Sequence, residues 1–421
     1  LERTSGSSET ERAAAGQKLK DAAVYRVVAL DAASGRALWE KPVEVTGATG
    51  GSHWCSLGAI YRDDVLVLFG VFLDGHYWKQ FFAGEFASRR VTALSATDGE
   101  FLWSQPVGYR VRPVIIGKTL HAEPWAFDLH TGEEQTRVHP VTGQTDRWQF
   151  ARPGHHCGCP IGSTNCLFFR SYCLGYYDLV GDYGTMHFAA QRPGCWVNAI
   201  PAGGLLLFPE ASAGCMCPFP NMCSVAFKPT EVNKAYSYYS APGPMTPVRR
   251  LAINLGAPGD RTDAAGNLWL GYPRPAGSLV LQFKVEVGFH PGGRFAQRNS
   301  SYTPISGTDD DWLFTSAARG LKKCVIPLLD KDDGTALYRV RLAFADPDNA
   351  ESGRRAFDVK LQGNVVAENY DPAGEAGGRD RAVWKEFSGI EVSDRLTIEL
   401  VPKTSAAAEQ APILQAVEVV R

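Results

Sequence analysis

The residues best suited to chemistry in this 421-residue chain lie between positions 157 and 223. Eight of its ten cysteines fall there: Cys157, Cys159, Cys166, Cys173, Cys195, Cys215, Cys217 and Cys223. Cys55 and Cys324 stand apart. The Cys-x-Cys pairs of HHCGCP (155–160) and CMC (215–217), the first beside two histidines, are soft donors of the kind that hold copper or zinc. The other use of such a cluster is disulfide stapling, which restricts the unfolded chain across long loops that have little core of their own. An even, clustered set fits an oxidising compartment, so all eight are read as disulfide candidates, with connectivity open and no metal site assigned. No Cys-x-x-Cys occurs, which excludes zinc-ribbon and c-type haem spacing.

The same stretch carries His155, His156, Arg170 and Tyr177, which are the catalytic candidates. Histidine and tyrosine can share base and acid work in a β-elimination from a uronic-acid polysaccharide, with Arg170 neutralising the carboxylate to ease loss of the neighbouring proton. Templates for other chemistry are missing: there is no G-x-x-x-x-G-K-[ST] phosphate loop, no G-x-S-x-G elbow and no H-E-x-x-H. Lys+Arg 43 against Asp+Glu 45 leaves a net charge of -2, so no global basic field exists to hold a polyphosphate backbone, and nucleic acid is excluded as a partner. No apolar run approaches the length of a membrane span. The chain starts at Leu1 without a charged-then-apolar leader, which suggests a mature or truncated chain with any export signal upstream.

The elements that must position these groups are short strands. Gly 43 and Pro 26, with 10 Trp, 15 Tyr and 21 Phe but only 4 Met, suit turns and strands rather than helices. Residues 1–24 are a polar tether. A phrase then recurs: VVALDAASGRALW (27–39), VTALSATDGEFLW (91–103) and the weaker WAFDLHTGEEQTR (125–137). In each, a strand enters a turn opened by Asp31, Ser95 or Asp128 and closed by Gly35, Gly99 or Gly132, where glycine supplies a positive φ. A degenerate fourth copy, LGYYDLVGDYGT, occupies 174–185. Self-similarity at a few tens of residues, carried on strands, is the signature of a propeller. Residues 231–250, with three prolines, read as a linker. Beyond them, short alternating strands such as LVLQFKVEV (279–287), ALYRVRLAFA (336–345) and DRLTIELVP (394–402) have the pattern of a β-sandwich.

The phrase ALDAxSGxxLW resembles the repeat of pyrroloquinoline-quinone-type propellers. The strands between 25 and 230 amount to roughly four to five blades, whereas the resemblance implies closure with six to eight, so the propeller is expected to be completed by missing N-terminal blades or by another polypeptide. It also suggests a quinone, but no Cys-Cys dipeptide is present and only Asn198 and Glu210 suggest ligation of the accompanying ion, so no cofactor is expected, with a metal or a quinone as the alternatives left open. Residues 251–421, opening with INLGAPGDRTDAAGNLWL (253–270), resemble malectin-type domains, which are carbohydrate-binding β-sandwiches. In such domains aromatic faces pack on pyranose C–H groups and carboxylates take the hydroxyls. The resemblance points to Trp269, Tyr272, Tyr302, Asp310, Trp312 and Trp384 as carbohydrate-binding residues.

The chain is therefore expected to be all-β, a partial β-propeller followed by a malectin-like jelly-roll sandwich, in a combination similar to those of planctomycete-type bacteria. Its expected role is to recognise or process a glycan in the periplasm or outside the cell. Its alternatives are a non-catalytic scaffold completed by a partner chain and a quinone- or metal-dependent redox protein.

Overall fold

A computed structural model describes residues 2–3, 24–45, 48, 55–72, 81–87, 89–154, 157–171, 173–188, 194, 199–209, 224–230, 236–274, 280–403 and 409–421. Two compact units divide the chain: Leu1–Thr136 with Arg147–Asn233, and Arg137–Asp146 with Lys234–Arg421. Both are built from β-strands, so the all-β expectation holds.

In the first unit, antiparallel strands pair in sequence order. Val24–Leu30 pairs with Ala37–Glu44. Cys55–Arg62, Val65–Phe72, Arg90–Ser95 and Phe101–Pro106 form a four-stranded meander. Val114–Ile116, Thr119–Ala122 and Trp125–Asp128 follow, then Ile161–Gly162, Cys166–Ser171, Cys173–Asp178 and Thr185–Phe188, then Ile200–Ala202, Leu205–Phe208 and Val225–Phe227. The three expected turns share one geometry. The glycine N–H closes onto the carbonyl four residues back, at 2.8 Å for Gly35 to Asp31, 2.8 Å for Gly99 to Ser95 and 3.0 Å for Gly132 to Asp128. All three glycines are left-handed, with φ of 70°, 76° and 74°.

The tryptophan that ends each phrase is what joins one repeat to the next. Trp39 donates its indole N–H to the Ala96 carbonyl at 2.7 Å, and Trp103 donates to Leu129 at 2.9 Å. Each acceptor lies one residue after the residue that opens the following turn. The rings lie against that turn's glycine: a Cβ on Gly99 would stand 2.6 Å from Trp39, and one on Gly132 would stand 2.6 Å from Trp103. In the degenerate copy the glycine position is filled by Asp182 (φ 51°), whose N–H meets the Asp178 carbonyl at 3.0 Å, and Trp148 donates to the Asp182 carboxylate at 3.2 Å.

The second unit opens with a hairpin from earlier in the chain, Arg137–Asp146, whose turn repeats the same pattern with histidine in the opening place. Gly143 N–H meets the His139 carbonyl at 2.9 Å, and the His139 ring Nδ1 accepts from the N–H groups of Val141 and Thr142 at 3.3 and 3.2 Å. Residues 236–250, read as linker, are part of this unit's core: Tyr239 and Val248 are buried, and Arg249 and Arg250 donate backbone N–H groups to the Val141 carbonyl at 2.9 and 3.0 Å. Residues 231–235 lie outside the described residues.

Two sheets then face each other. One runs, in spatial order, Arg261–Thr262, Leu268–Tyr272, Arg250–Leu255, Ala416–Val420, Ala336–Phe344 and Val383–Val392. The other runs Glu286–Gln297, Ser316–Pro327, Arg395–Pro402, Phe357–Leu361 and Asn364–Tyr370, with Ile413–Leu414 paired to Ser316–Pro327. Period-two alternation puts Leu251, Ile253, Val340, Leu342, Val417, Val419, Ile398 and Leu400 into the shared core. A buried ion pair, Arg355 with Asp346 at 2.9 Å, and a second bond from Arg355 to Asp348 at 2.6 Å staple the 346–355 connection.

The indole-on-glycine contact has a measurable weight. Trp103→Ala should cost about 3–5 kcal/mol in equilibrium unfolding of the first unit, the range for truncating a large buried aromatic. Phe101→Ala, two residues away but 63% exposed, should change it by no more than about 0.5 kcal/mol.

Candidate functional site

The six-stranded sheet of the second unit buries one face in the shared core, and its strand alternation leaves the other face for different work. On that outer face Ala252, Ala343 and Ala416 make a floor of small side chains, over which Trp269, Trp312, Phe314 and Trp384 are laid. Trp384 is carried opposite Ala343 in the strand register. Its ring centroid is 5.8 Å from Trp269 and 5.6 Å from Phe314, and the Arg341 guanidinium sits 4.4 Å over its face. Arg341 in turn donates to the buried Glu418 carboxylate at 2.7 Å.

Trp312 and Phe314 come from the connection 298–315, which joins the strands Glu286–Gln297 and Ser316–Pro327. Its last turn is a short helix, Asp311–Phe314, which seats Trp312, Leu313 and Phe314 in the cluster. The N–H of Asp310 donates to the Thr308 hydroxyl at 3.0 Å, and the Leu313 N–H donates to the Asp310 carbonyl at 3.0 Å. These bonds hold the Asp310 carboxylate where it accepts the Trp312 indole N–H at 3.1 Å.

Across from it, the turn Asp263–Asn267 holds a second carboxylate. Asp263 accepts from the N–H groups of Ala265 and Asn267 at 3.0 and 2.8 Å, and from the Trp269 indole N–H at 3.0 Å. The Arg261 guanidinium sits 4.7 Å over the Trp312 ring and 5.8 Å over Tyr236, and its charge pulls against the rise of Asp310. The two carboxyls are driven apart. Burial pushes Asp310 above the usual carboxylate range, and the nearby charge of Asp263 adds to that. Burial also opposes ionisation of Asp263, but the bonds from Trp269, Asn267 and Ala265 outweigh it and hold that carboxyl below its ordinary value.

Of the residues expected from the sequence to touch carbohydrate, Trp269, Asp310, Trp312 and Trp384 are thus brought together. Trp269 and Trp312 are only 3% and 4% exposed, so they form the base of the site rather than open platforms. Tyr302 lies on the same connection as Asp310 and is 87% exposed. Tyr272 is elsewhere: its hydroxyl donates to the Val285 carbonyl at 2.7 Å and its ring packs beside Phe283 and Phe295, against the shared core. Arg261, Asp263, Tyr236 and Arg341 were not anticipated. The signal for Asp263 was available in DAAGN, a side-chain-capped turn two residues before a tryptophan.

In the first unit, Arg170 and Tyr177 lie on paired strands, both buried. Tyr177 stands in an aromatic layer with Trp148 and Phe150 at 5.5 and 5.9 Å, and its hydroxyl bonds to Asp182. Nearby polar interior is an ion triad. Arg110 and Arg152 both donate to Glu123 at 2.9 Å, and Arg152 adds a second bond at 2.6 Å. Burial pushes the Glu123 carboxyl up to about 7, against the pull of Arg110. His155 and His156 lie outside the described residues, as do Cys195, Cys215, Cys217 and Cys223. No disulfide joins two described cysteines. Burial raises the thiol pKa of Cys159 and Cys166, and pushes Cys324 up to about 12, which disfavours the thiolate at each. Among the described residues no group of three or more His, Cys, Asp or Glu is placed to hold a metal ion. No helix among them is long and apolar enough to cross a membrane.

Fold and site together define an all-β chain whose second unit is a two-sheet sandwich with an acidic, aromatic-floored site on one outer face. Residues 252–415 match the family model of the Malectin domain. Comparison with curated proteins returned no match. Among solved structures, the chain is similar to a Bacteroides uniformis β-glucuronidase at 15% identity and a TM-score of 0.32, over 79% of this chain and 27% of that one. It is also similar to the ANXUR2 extracellular domain from Arabidopsis thaliana at 13% identity and a TM-score of 0.30, over 40% of this chain and 47% of that one. The chain thus spans about a quarter of the first structure's length and about half of the second's.

The raised Asp310 carboxyl sets a pH dependence. A carboxyl raised by folding favours the folded state only while it is protonated, so its contribution is lost as pH rises through its folded value. Asp310→Asn keeps an acceptor for Trp312 and carries no charge. Thermal melts from about pH 3 to about pH 7 should show the variant more stable than the parent at the upper end, with the gap closing at the lower end. A gap of constant size would contradict the assignment.

Proposed function

We propose that this chain binds a neutral glycan outside the cytoplasm, through the outer face of its Malectin-domain unit. The observation that carries the reading is the placement of the partly exposed Asp263 and Asp310 on the indole N–H groups of Trp269 and Trp312, in a stretch that matches a Malectin domain. The Asp310 carboxylate spends one bond on an indole N–H and keeps further lone pairs for hydroxyl groups, whereas those of Asp263 are taken by Ala265, Asn267 and Trp269, which fix that side of the site. Tyr302, 87% exposed, offers a ring face to pyranose C–H groups, and half-buried Tyr236 and Trp384 border the site. The charges of Asp263 and Asp309 bear on Asp310, with Arg261 opposing them, so a uronate would meet more like charge than a neutral hydroxylated sugar does.

A site built from one connection and one strand edge buries part of a short oligosaccharide, and its affinity belongs in the micromolar to millimolar range. The activity on a uronic-acid polysaccharide envisaged for Arg170 and Tyr177 gains no support from their buried positions in the first unit.

Calorimetric titration of the full chain with neutral oligosaccharides and with matched uronate-containing ones tests the proposal. Saturable binding of a neutral glycan is expected, weaker by at least about tenfold in Asp310→Asn and several-fold in Tyr302→Ala. Tyr272→Phe should leave it unchanged. Binding that ignores the Asp and Tyr302 substitutions, or a preference for uronates, would overturn it.

A further inference from the structure

Among the described residues, the repeats of the first unit leave one docking seat uncovered. In the second and third copies the glycine turn is covered by a tryptophan from the copy before it: Trp39 covers Gly99 and Trp103 covers Gly132. The residue two places beyond each tryptophan takes hold of the same turn, Lys41 with Glu100 at 2.5 Å and Gln105 with the Gly132 carbonyl at 3.2 Å. The first copy has the same turn, with Gly35 at φ 70°, but among the described residues nothing lies within 4 Å of where a Cβ on Gly35 would stand.

The strand leading into that turn tells the same story. Leu30 is 58% exposed, whereas the residues at its place in the other two copies, Leu94 and Phe127, are 2% and 1% exposed. Val28 is 38% exposed, and its counterpart Thr92 is 5% exposed. The opposite side of the first hairpin is already used: Val27 and Val43 are buried with Leu68 and Leu94. The backbone irregularity before the turn is also shared, with a register shift at Ala29/Leu30 and at Ala93/Leu94. Among the described residues the first copy is therefore built like the other two but without the cover that the preceding copy gives them.

We infer that the face formed by Val28, Leu30 and the Gly35 turn docks a tryptophan-bearing β-hairpin of this same repeat type, contributed from outside the described residues. The occupant's indole would lie on Gly35 and donate its N–H to the Ala32 carbonyl, the place equivalent to Ala96 and Leu129. Two residues further along, it would carry an amide or acidic side chain, because the position that is Glu100 in the second copy is Arg36 here. This surface is independent of the glycan site and would survive that proposal's failure.

The probe is a backbone-cyclised peptide of residues 90–106, dye-labelled, which holds Trp103 and Gln105 in their hairpin. Fluorescence polarisation against the full chain should show saturable binding. Trp103→Ala in the probe should weaken it by at least about tenfold, and so should Leu30→Glu or Gly35→Asn in the chain. Leu30 is exposed, and asparagine tolerates the left-handed turn while filling the seat, so both variants should fold, as circular dichroism will report. Absence of saturation at millimolar probe, or binding indifferent to these three changes, overturns the inference. So does sedimentation that shows the chain alone self-associating through this face and dissociating with Leu30→Glu, which would assign it to a second copy.

Discussion

An indole can lie flat against a chain turn only where that turn has no Cβ. In the first unit this one constraint sets the identity of the glycine at two successive turns. Gly99 and Gly132 are required twice over, once by a positive φ and once because a methyl group there would stand 2.6 Å from the indole of the preceding copy. The indole N–H is satisfied by a turn carbonyl in the same step, so a large apolar surface is buried without stranding a donor. Where the constraint is relaxed, the chemistry changes with it: Asp182 replaces glycine, and its side chain rather than a backbone carbonyl accepts the Trp148 N–H.

The second unit divides labour between the faces of one sheet. Leucine, isoleucine and valine face the partner sheet, while alanines on the other side leave room for four aromatic rings and the connection that carries two of them. The carboxylates of Asp263 and Asp310 hold two of those rings, Trp269 and Trp312, through their indole N–H groups and remain partly open to solvent. A buried core thus supports a site that is rigid at its base and polar at its mouth, the combination a sugar-binding surface requires.

Much of this was legible in residue patterns. The three glycine turns and the alternating sandwich strands could be anticipated, because each depends on local periodicity or a recognisable phrase, while Trp269, Asp310, Trp312 and Trp384 were named through the resemblance to malectin-type domains. The turn at His139 was not, since an imidazole nitrogen there accepts the two N–H bonds that a carboxylate accepts in its relatives. Tyr272 was placed at the site because an aromatic residue at a strand end can face either side of a sheet, and the choice depends on Phe283 and Phe295, which lie well apart from it in sequence. Arg261 and Tyr236 were missed for a related reason: their role exists only once distant segments meet over Trp312.

The claim that the outer face of the sandwich is a glycan site is tested most directly by amide hydrogen exchange on the full chain, with and without a saturating neutral oligosaccharide. The account predicts slowed exchange confined to residues 299–312 and to the neighbourhood of Tyr236 and Arg261 to Asp263. Protection that falls elsewhere, or none at a concentration where binding is saturated, would contradict it.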